Sequence, residues 1–137
     1  MQILNYNSIE IVHILSSIFF SIVFFQSSLD KIIDKKGNLE FFKHHFKDTP
    51  LHKIFSQALN ILTFLELTAA GLCLYGFVHS LLYTNTDFIF YGLLFTGLVL
   101  LLLLFGQRIA KDYVGAADIT IYFILCVIII MSYKIKG

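Results

Sequence analysis

Polar side chains that could carry chemistry are few in this chain, and Glu66 is the most isolated of them. It is the only formal charge between Lys53 and Asp87. An acidic side chain inside an apolar helix of a membrane protein marks a functional site by default, because an unpaired charge there costs several kcal/mol. The alternative is a structural role, with Glu66 protonated or bonded to a neighbouring helix. Both interpretations stay open from the sequence.

A second concentration of polar groups is the stretch from Gly106 to Asp118, which reads GQRIAKDYVGAAD. It joins two uncharged segments, residues 88–105 and residues 119–133. Charges at the edge of hydrocarbon need water, a partner or a lipid headgroup. We therefore predict a polar intramembrane cluster made of Glu66, Asp30, Lys31, Gln107, Arg108, Asp112 and Asp118. Within it, we expect Arg108 to pair with Asp30, Asp112 or Glu66.

The composition indicates an integral membrane protein. Of 137 residues, 58% are hydrophobic and 14% are charged, whereas soluble domains have about 25% charged residues. The net charge of +1 gives no indication of nucleic-acid binding. The length predicts one domain over residues 1–137, an all-α bundle of four transmembrane helices at about 9–33, 51–79, 87–110 and 115–134.

A short amphipathic helix is predicted between the first two spans. Gly37 is suited to ending the first helix and Asn38 to capping the next. In residues 38–47 (NLEFFKHHFK), apolar side chains share one face and lysines lean away, which is typical of a helix lying at the membrane interface. His44 and His45 are adjacent and diverge by about 100° on a helix. We therefore expect them to be solvated or to face lipid headgroups, and we predict no metal site. Thr49 and Pro50 are expected to start the second span.

Polar residues also form a stripe along the first span, at helical spacing. Its members are Glu10, His13, Ser17, Ser21, Ser28 and Lys31. The stripe has two interpretations, close packing against another helix or a polar path across the membrane. In the third span, Gly92 and Thr96 share a face that permits close helix contact.

The distribution of Lys and Arg predicts the orientation. The connection between spans 1 and 2 carries six such residues and the connection between spans 3 and 4 carries two, whereas the opposite side has only Lys134 and Lys136. By the positive-inside rule, both connections are cytoplasmic and both termini lie outside.

Three short motifs carry a resemblance to a known family. They are Ser28-Leu29-Asp30-Lys31 at the end of span 1, Leu65-Glu66-Leu67 with Ala69-Ala70-Gly71 in span 2, and the stretch from Gly106 to Asp118. With four spans and a Phe-rich amphipathic insert, the chain resembles the DoxX family of small bacterial membrane proteins. That family usually has Gly where Ser28 stands. The resemblance implies the bacterial inner membrane and an accessory role linked to quinol oxidase or thiosulfate:quinone oxidoreductase activity.

Three hypotheses of function follow. The first is an accessory subunit of a larger membrane complex, not catalytic on its own, whose partners are the lipid bilayer and other membrane subunits. The second is a quinone-linked redox component in which Glu66 handles protons, with Gln107 and Arg108 also in the pocket. The third is a small transporter. We predict no cofactor and keep quinone as the one alternative, because His13, His52 and His79 do not form a facing haem pair and no Cys or His spacing fits zinc or iron–sulfur.

Overall fold

A computed structural model describes residues 2–3 and 6–136 of the chain. A two-residue ladder pairs Gln2–Ile3 antiparallel with Tyr6–Asn7, and the longer elements are all helices. These helices are α1 (Ser8–Ile33), α2 (Lys35–His45), α3 (Phe55–Tyr83), α4 (Asp87–Ile109) and α5 (Tyr113–Lys136). All except α2 are long and apolar enough to cross a membrane. The predicted all-α bundle of four spans with a short helix after the first is confirmed.

The second span begins later than the sequence predicts. Pro50–Lys53 forms one 3-10 turn, and α3 runs from Phe55 to Tyr83, so it begins and ends about four residues later than the predicted span. The Thr49 hydroxyl donates to the carbonyl of Phe46 at 2.8 Å, so it bonds backward instead of capping a following helix. The long helix therefore begins after the proline.

The junction between α1 and α2 also differs from the prediction. Gly37 lies inside α2 and keeps a negative φ, so its assignment as the end of the first helix is wrong. Asp34 separates the two helices, and its carboxylate accepts the Gly37 N–H at 3.3 Å. The Asn38 amide donates to the carbonyls of Asp30 and Asp34, at 3.1 and 2.8 Å. Side-chain hydrogen bonds thus replace the left-handed glycine as the means of turning the chain.

The bundle is held together by close approach of neighbouring helices. α1 packs mainly on α3, α3 on α4, and α4 on α5. The buried core contains Phe20, Phe24, Ala69, Ala70, Cys73, Ile89, Leu93, Val99, Leu100, Cys126 and Ile129. Between α3 and α4 the backbones nearly touch, because a Cβ on Gly76 would lie 2.9 Å from the Ile89 Cα and one on Gly92 would lie 3.2 Å from the Cys73 nitrogen.

The antiparallel helices give the bundle two chemically different ends. At the charged end, the last turn of α1, helix α2, the start of α3 and the α4–α5 turn come together around one cavity. At the opposite end, the first turns of α1 meet the α3–α4 connection and the last turns of α5, through hydrogen bonds between His13 and the hydroxyls of Thr86 and Ser132. The candidate functional site lies at the charged end.

Candidate functional site

A cavity of about 520 Å³ opens at the charged end. This volume lies within the range of roughly 300–1,000 Å³ that is usual for small-molecule sites. Apolar side chains form most of its wall, from Leu59, Leu62 and Leu65 of α3, Leu102, Leu103 and Phe105 of α4, and Ile119 of α5. Phe41 and His45 of α2 and the following Phe46 also line it. A few polar groups, from Ser27, Lys31, His45, Gln107 and Asp112, complete the wall.

One residue of the polar wall, Lys31, belongs to an ion pair with Glu66 behind it. Lys31 Nζ lies 2.8 Å from Glu66 Oε1, and the two side chains are only 11% and 1% exposed. The two charged groups are in contact, but the contact does not have hydrogen-bond geometry, since Oε1 has no hydrogen-bond partner among the described residues. Lys31 also donates to the Ser27 hydroxyl at 2.7 Å, one turn back along α1. Helical side chains lean toward the N-terminus, so Lys31 reaches from the last turn of α1 inward to Glu66.

Gln107 contributes an unpaired acceptor to the same cavity. Its Oε1 is buried and has no hydrogen-bond partner among the described residues. A buried carbonyl oxygen without a partner costs about 1–3 kcal/mol, so such a group needs a reason to be present. In this cavity it lies on the wall with Lys31, whose ammonium is a donor. The cavity wall therefore includes one ammonium, which contacts Ser27 and Glu66, and one carboxamide whose Oε1 has no partner among the described residues.

Asp112 is held in place by capping the last helix. Its Oδ1 accepts the Gly115 N–H at 3.0 Å, two residues after α5 begins, and its Oδ2 lies 3.8 Å from His45 Nε2. A Cβ on Gly115 would lie 2.5 Å from Asp112 Oδ2 and 2.7 Å from Gln107 Nε2. Glycine at this position therefore lets the Asp112 and Gln107 side chains pack together over the start of α5.

The remaining members of the predicted cluster lie outside the cavity. Asp30, Arg108 and Asp118 are exposed and do not line it. The Arg108 guanidinium lies 4.9 Å from the centre of the Tyr113 ring, and among the described residues no carboxylate is within 4.0 Å of it. The predicted pairing of Arg108 with an acidic residue is wrong, because the start of α5 presents an aromatic face to it instead.

The polar stripe of α1 is a packing surface in this structure. Ser17, Ser21 and Ser28 are buried, and their hydroxyls donate to the carbonyls of Ile14, Ala70 and Phe25. Only the bond from Ser21 crosses to another helix, α3. Because these hydroxyls are satisfied by the backbone, the structure favours the packing interpretation of the stripe over a polar path.

His13 belongs to a separate buried network at the opposite end. Its Nε2 lies 2.7 Å from the Ser132 hydroxyl and its Nδ1 lies 3.0 Å from the Thr86 hydroxyl. Ser132 donates its own proton to the Ile129 carbonyl, so Nε2 carries the imidazole proton and Nδ1 accepts from Thr86. The ring stacks on Tyr133 with centroids 3.8 Å apart. Both nitrogens point at hydroxyl groups, so this ring is not placed as a haem ligand.

Metal-ligating side chains do not form a cluster among the described residues. In the described part of the chain, no three His, Cys, Asp or Glu side chains come together as a metal site requires. His44 is exposed, and His45 instead stacks on Phe41 and contacts Phe46 edge-on. Cys73 and Cys126 are free and buried in the core.

Comparison with known proteins gives no relative from which to transfer a function: no family model, no curated protein and no solved structure matches the chain. The geometry of the site therefore carries the functional argument, and the resemblance to the DoxX family stays a prediction.

Several contributors to the site were not identified from the sequence. Ser27 stands four residues before Lys31, and this spacing could have indicated their contact on a helix. His45 was expected to be solvated or to face headgroups, whereas it lines the cavity with its Nε2 3.8 Å from Asp112 Oδ2. Gly115 could not be recognised as part of the site from its position near a helix start. Its role depends on two side chains from other turns.

Proposed function

We propose that this chain is a membrane subunit that binds a quinone or quinol at the charged end of its bundle. The observation that carries the proposal is that Lys31 and Gln107 line one apolar cavity, and that Gln107 Oε1 has no hydrogen-bond partner among the described residues. A quinone ring has carbonyl oxygens that can accept from an ammonium. The reduced form has hydroxyl groups that can donate to a carbonyl oxygen such as Gln107 Oε1.

The apolar wall suits the isoprenoid tail of such a molecule. Ile61, Leu102 and Phe105 line the cavity, and 61%, 45% and 62% of their surfaces are exposed. In a membrane this exposed surface faces lipid, so a tail can leave the cavity sideways into the bilayer. A small polar pocket with an apolar exit is what an amphipathic ligand requires.

Glu66 is assigned the role of holding the Lys31 ammonium in position. Reduction of a quinone to a quinol takes up two electrons and two protons. Lys31 lines the cavity, and its Nζ lies 2.8 Å from Glu66 Oε1. Electron delivery is assigned to a partner subunit, in line with the accessory role that the DoxX resemblance implies. We also place the chain in a bacterial inner membrane, as the DoxX resemblance implies, with the charged end cytoplasmic from the Lys and Arg count.

The test is equilibrium binding of a short-tailed quinol to the full chain in lipid nanodiscs. Gln107→Leu removes the unpartnered acceptor, and we expect binding to weaken by roughly tenfold with no loss of thermal stability. Gln26→Leu is the matched control, because Gln26 is exposed on α1 and lies outside the cavity. Equal quinol affinity in the wild type and Gln107→Leu would refute the proposal.

A further inference from the structure

A second cavity adjoins the quinone site at its membrane-surface side. It has a volume of about 400 Å³ and lies between the end of α2, the 3-10 turn and the α4–α5 connection. His45 lines both cavities. The wall of the second cavity consists of His44, His45, Lys47, Asp48, Thr49, Pro50, Ile109, Ala110 and Lys111.

The charges of this cavity favour an anion. Lys47 and Lys111 come from two different connections and line the cavity together with one acidic residue, Asp48. Both lysines are exposed, and among the described residues neither has a carboxylate within 4.0 Å. His44 and His45 add further nitrogen atoms to the same wall. The cavity thus presents a surplus of hydrogen-bond donors and positive charge.

The backbone fixes one of these lysines in place. Lys111 has a φ of 60°, a left-handed conformation that side-chain-bearing residues adopt rarely. Its N–H donates to the Arg108 carbonyl at 3.1 Å, and the next N–H, of Asp112, donates to the Gln107 carbonyl at 2.9 Å. These bonds close the end of α4 and hold Lys111 beside the cavity. The same turn therefore positions Gln107 for the first cavity and Lys111 for the second.

The geometry points to a binding site for the phosphate group of an anionic phospholipid in this second cavity. The cavity lies at the charged end, beside an amphipathic helix and the ends of membrane-crossing helices, where the headgroups of a bilayer lie. Ile109, Ala110 and Pro50 supply an apolar floor that suits the glycerol and first acyl carbons. Basic pockets between transmembrane helices bind anionic headgroups in this way. The site does not depend on the quinone proposal, because its two lysines do not line the first cavity.

Native mass spectrometry of the full chain in mild detergent tests this site. The probes are phosphatidylglycerol and phosphatidylcholine with identical acyl chains, added in equal amounts. We expect preferential retention of phosphatidylglycerol, reduced by roughly tenfold or more in Lys47→Gln/Lys111→Gln, since each lysine near a headgroup contributes about fivefold. The control Lys35→Gln/Lys36→Gln removes the same charge from exposed lysines outside the cavity and should retain the lipid.

The outcomes separate the alternatives. Equal retention of the two lipids, or equal loss in both double variants, would overturn the site and leave only general attraction between charges. Inorganic phosphate that displaces the lipid at equal concentration would show a free-phosphate site and overturn the lipid assignment. If the double variant does not fold, Lys47→Gln alone serves the same comparison. Quinol binding by Lys47→Gln/Lys111→Gln should be unchanged, so failure of this inference is distinguishable from failure of the proposed function.

Discussion

Lys31 and Glu66 meet across the interface between α1 and α3, with Nζ 2.8 Å from Oε1 and both side chains largely buried. Taking two charges out of water is costly, and their attraction offsets that cost only while both partners are present. The pair therefore stabilises the bundle only while both charged side chains are present. The loss of either charge should be more harmful than the loss of both.

The first prediction is a double-mutant cycle on this pair. Lys31→Met leaves a buried carboxylate without its partner, and Glu66→Gln leaves a buried ammonium, so each should lower the free energy of unfolding by about 3–5 kcal/mol. The combined variant should recover a large part of that loss. Thermal unfolding in detergent measures all four proteins. Additive losses in the double variant would show that the two side chains are not coupled.

The second prediction concerns the contact between α3 and α4. Gly76→Ala should be destabilising, because its Cβ would lie 2.9 Å from the Ile89 Cα and 3.0 Å from the Ile89 nitrogen, and backbone atoms move only with the helix. A loss of about 1–3 kcal/mol is expected for such overpacking. Gly71→Ala is the control in the same helix, since nothing lies within 4 Å of its added Cβ. It should be neutral or slightly stabilising, because Ala is the better helix former. Equal melting temperatures for the two variants would contradict the close approach.

The third prediction concerns the buried histidine at the opposite end. Ser132→Ala removes the hydroxyl that accepts from His13 Nε2 and leaves a buried N–H without its bond. We expect a loss of about 1–3 kcal/mol in the free energy of unfolding. Thr68→Ala is a suitable control, because the Thr68 hydroxyl bonds only within its own helix, to the Phe64 carbonyl, at an exposed position. Unfolding midpoints that fall equally in both variants would show that the network adds nothing specific.

The fourth prediction concerns orientation. Cysteines introduced at Lys36 and at Tyr83 would lie at opposite ends of the bundle, and both positions are exposed. The native Cys73 and Cys126 are buried and should give little background with a membrane-impermeant maleimide. Inside-out vesicles should label Lys36→Cys, and intact cells should label Tyr83→Cys, if the charged end is cytoplasmic. The reverse pattern would invert the topology.

The sequence was sufficient to predict the helices that cross the membrane, because long uncharged segments leave few alternatives. It was less informative at the junctions. Gly37 was expected to turn the chain, whereas Asp34 and Asn38 do so with their side chains. Proline at residue 50 was expected to open α3, but the helix begins at Phe55. Side chains at a helix end can form several alternative hydrogen bonds to the backbone, and the same residues are compatible with more than one of them.

The arrangement of the site was harder to predict for a related reason. Glu66, Lys31, Gln107 and Asp112 were singled out by charge and position, and the structure places Lys31, Gln107 and Asp112 around one cavity with Glu66 beside Lys31. The partner of each could not be read from the sequence. Arg108 follows Gln107 directly, yet the 100° step between adjacent helical residues turns it outward to Tyr113. Pairing depends on the rotation of each helix about its axis, which hydropathy leaves undetermined.

Photochemical cross-linking is the most direct test of the central claim that the first cavity binds a quinone. The full chain in lipid vesicles would be irradiated with an azido-quinone that carries an isoprenoid tail, then digested and mapped by mass spectrometry. We expect labels within residues 41–46 and 102–107, abolished by excess unlabelled quinone and strongly reduced in Gln107→Leu. Labels spread over exposed lipid-facing positions such as Leu98 and Ile124, with no competition by quinone, would contradict the claim.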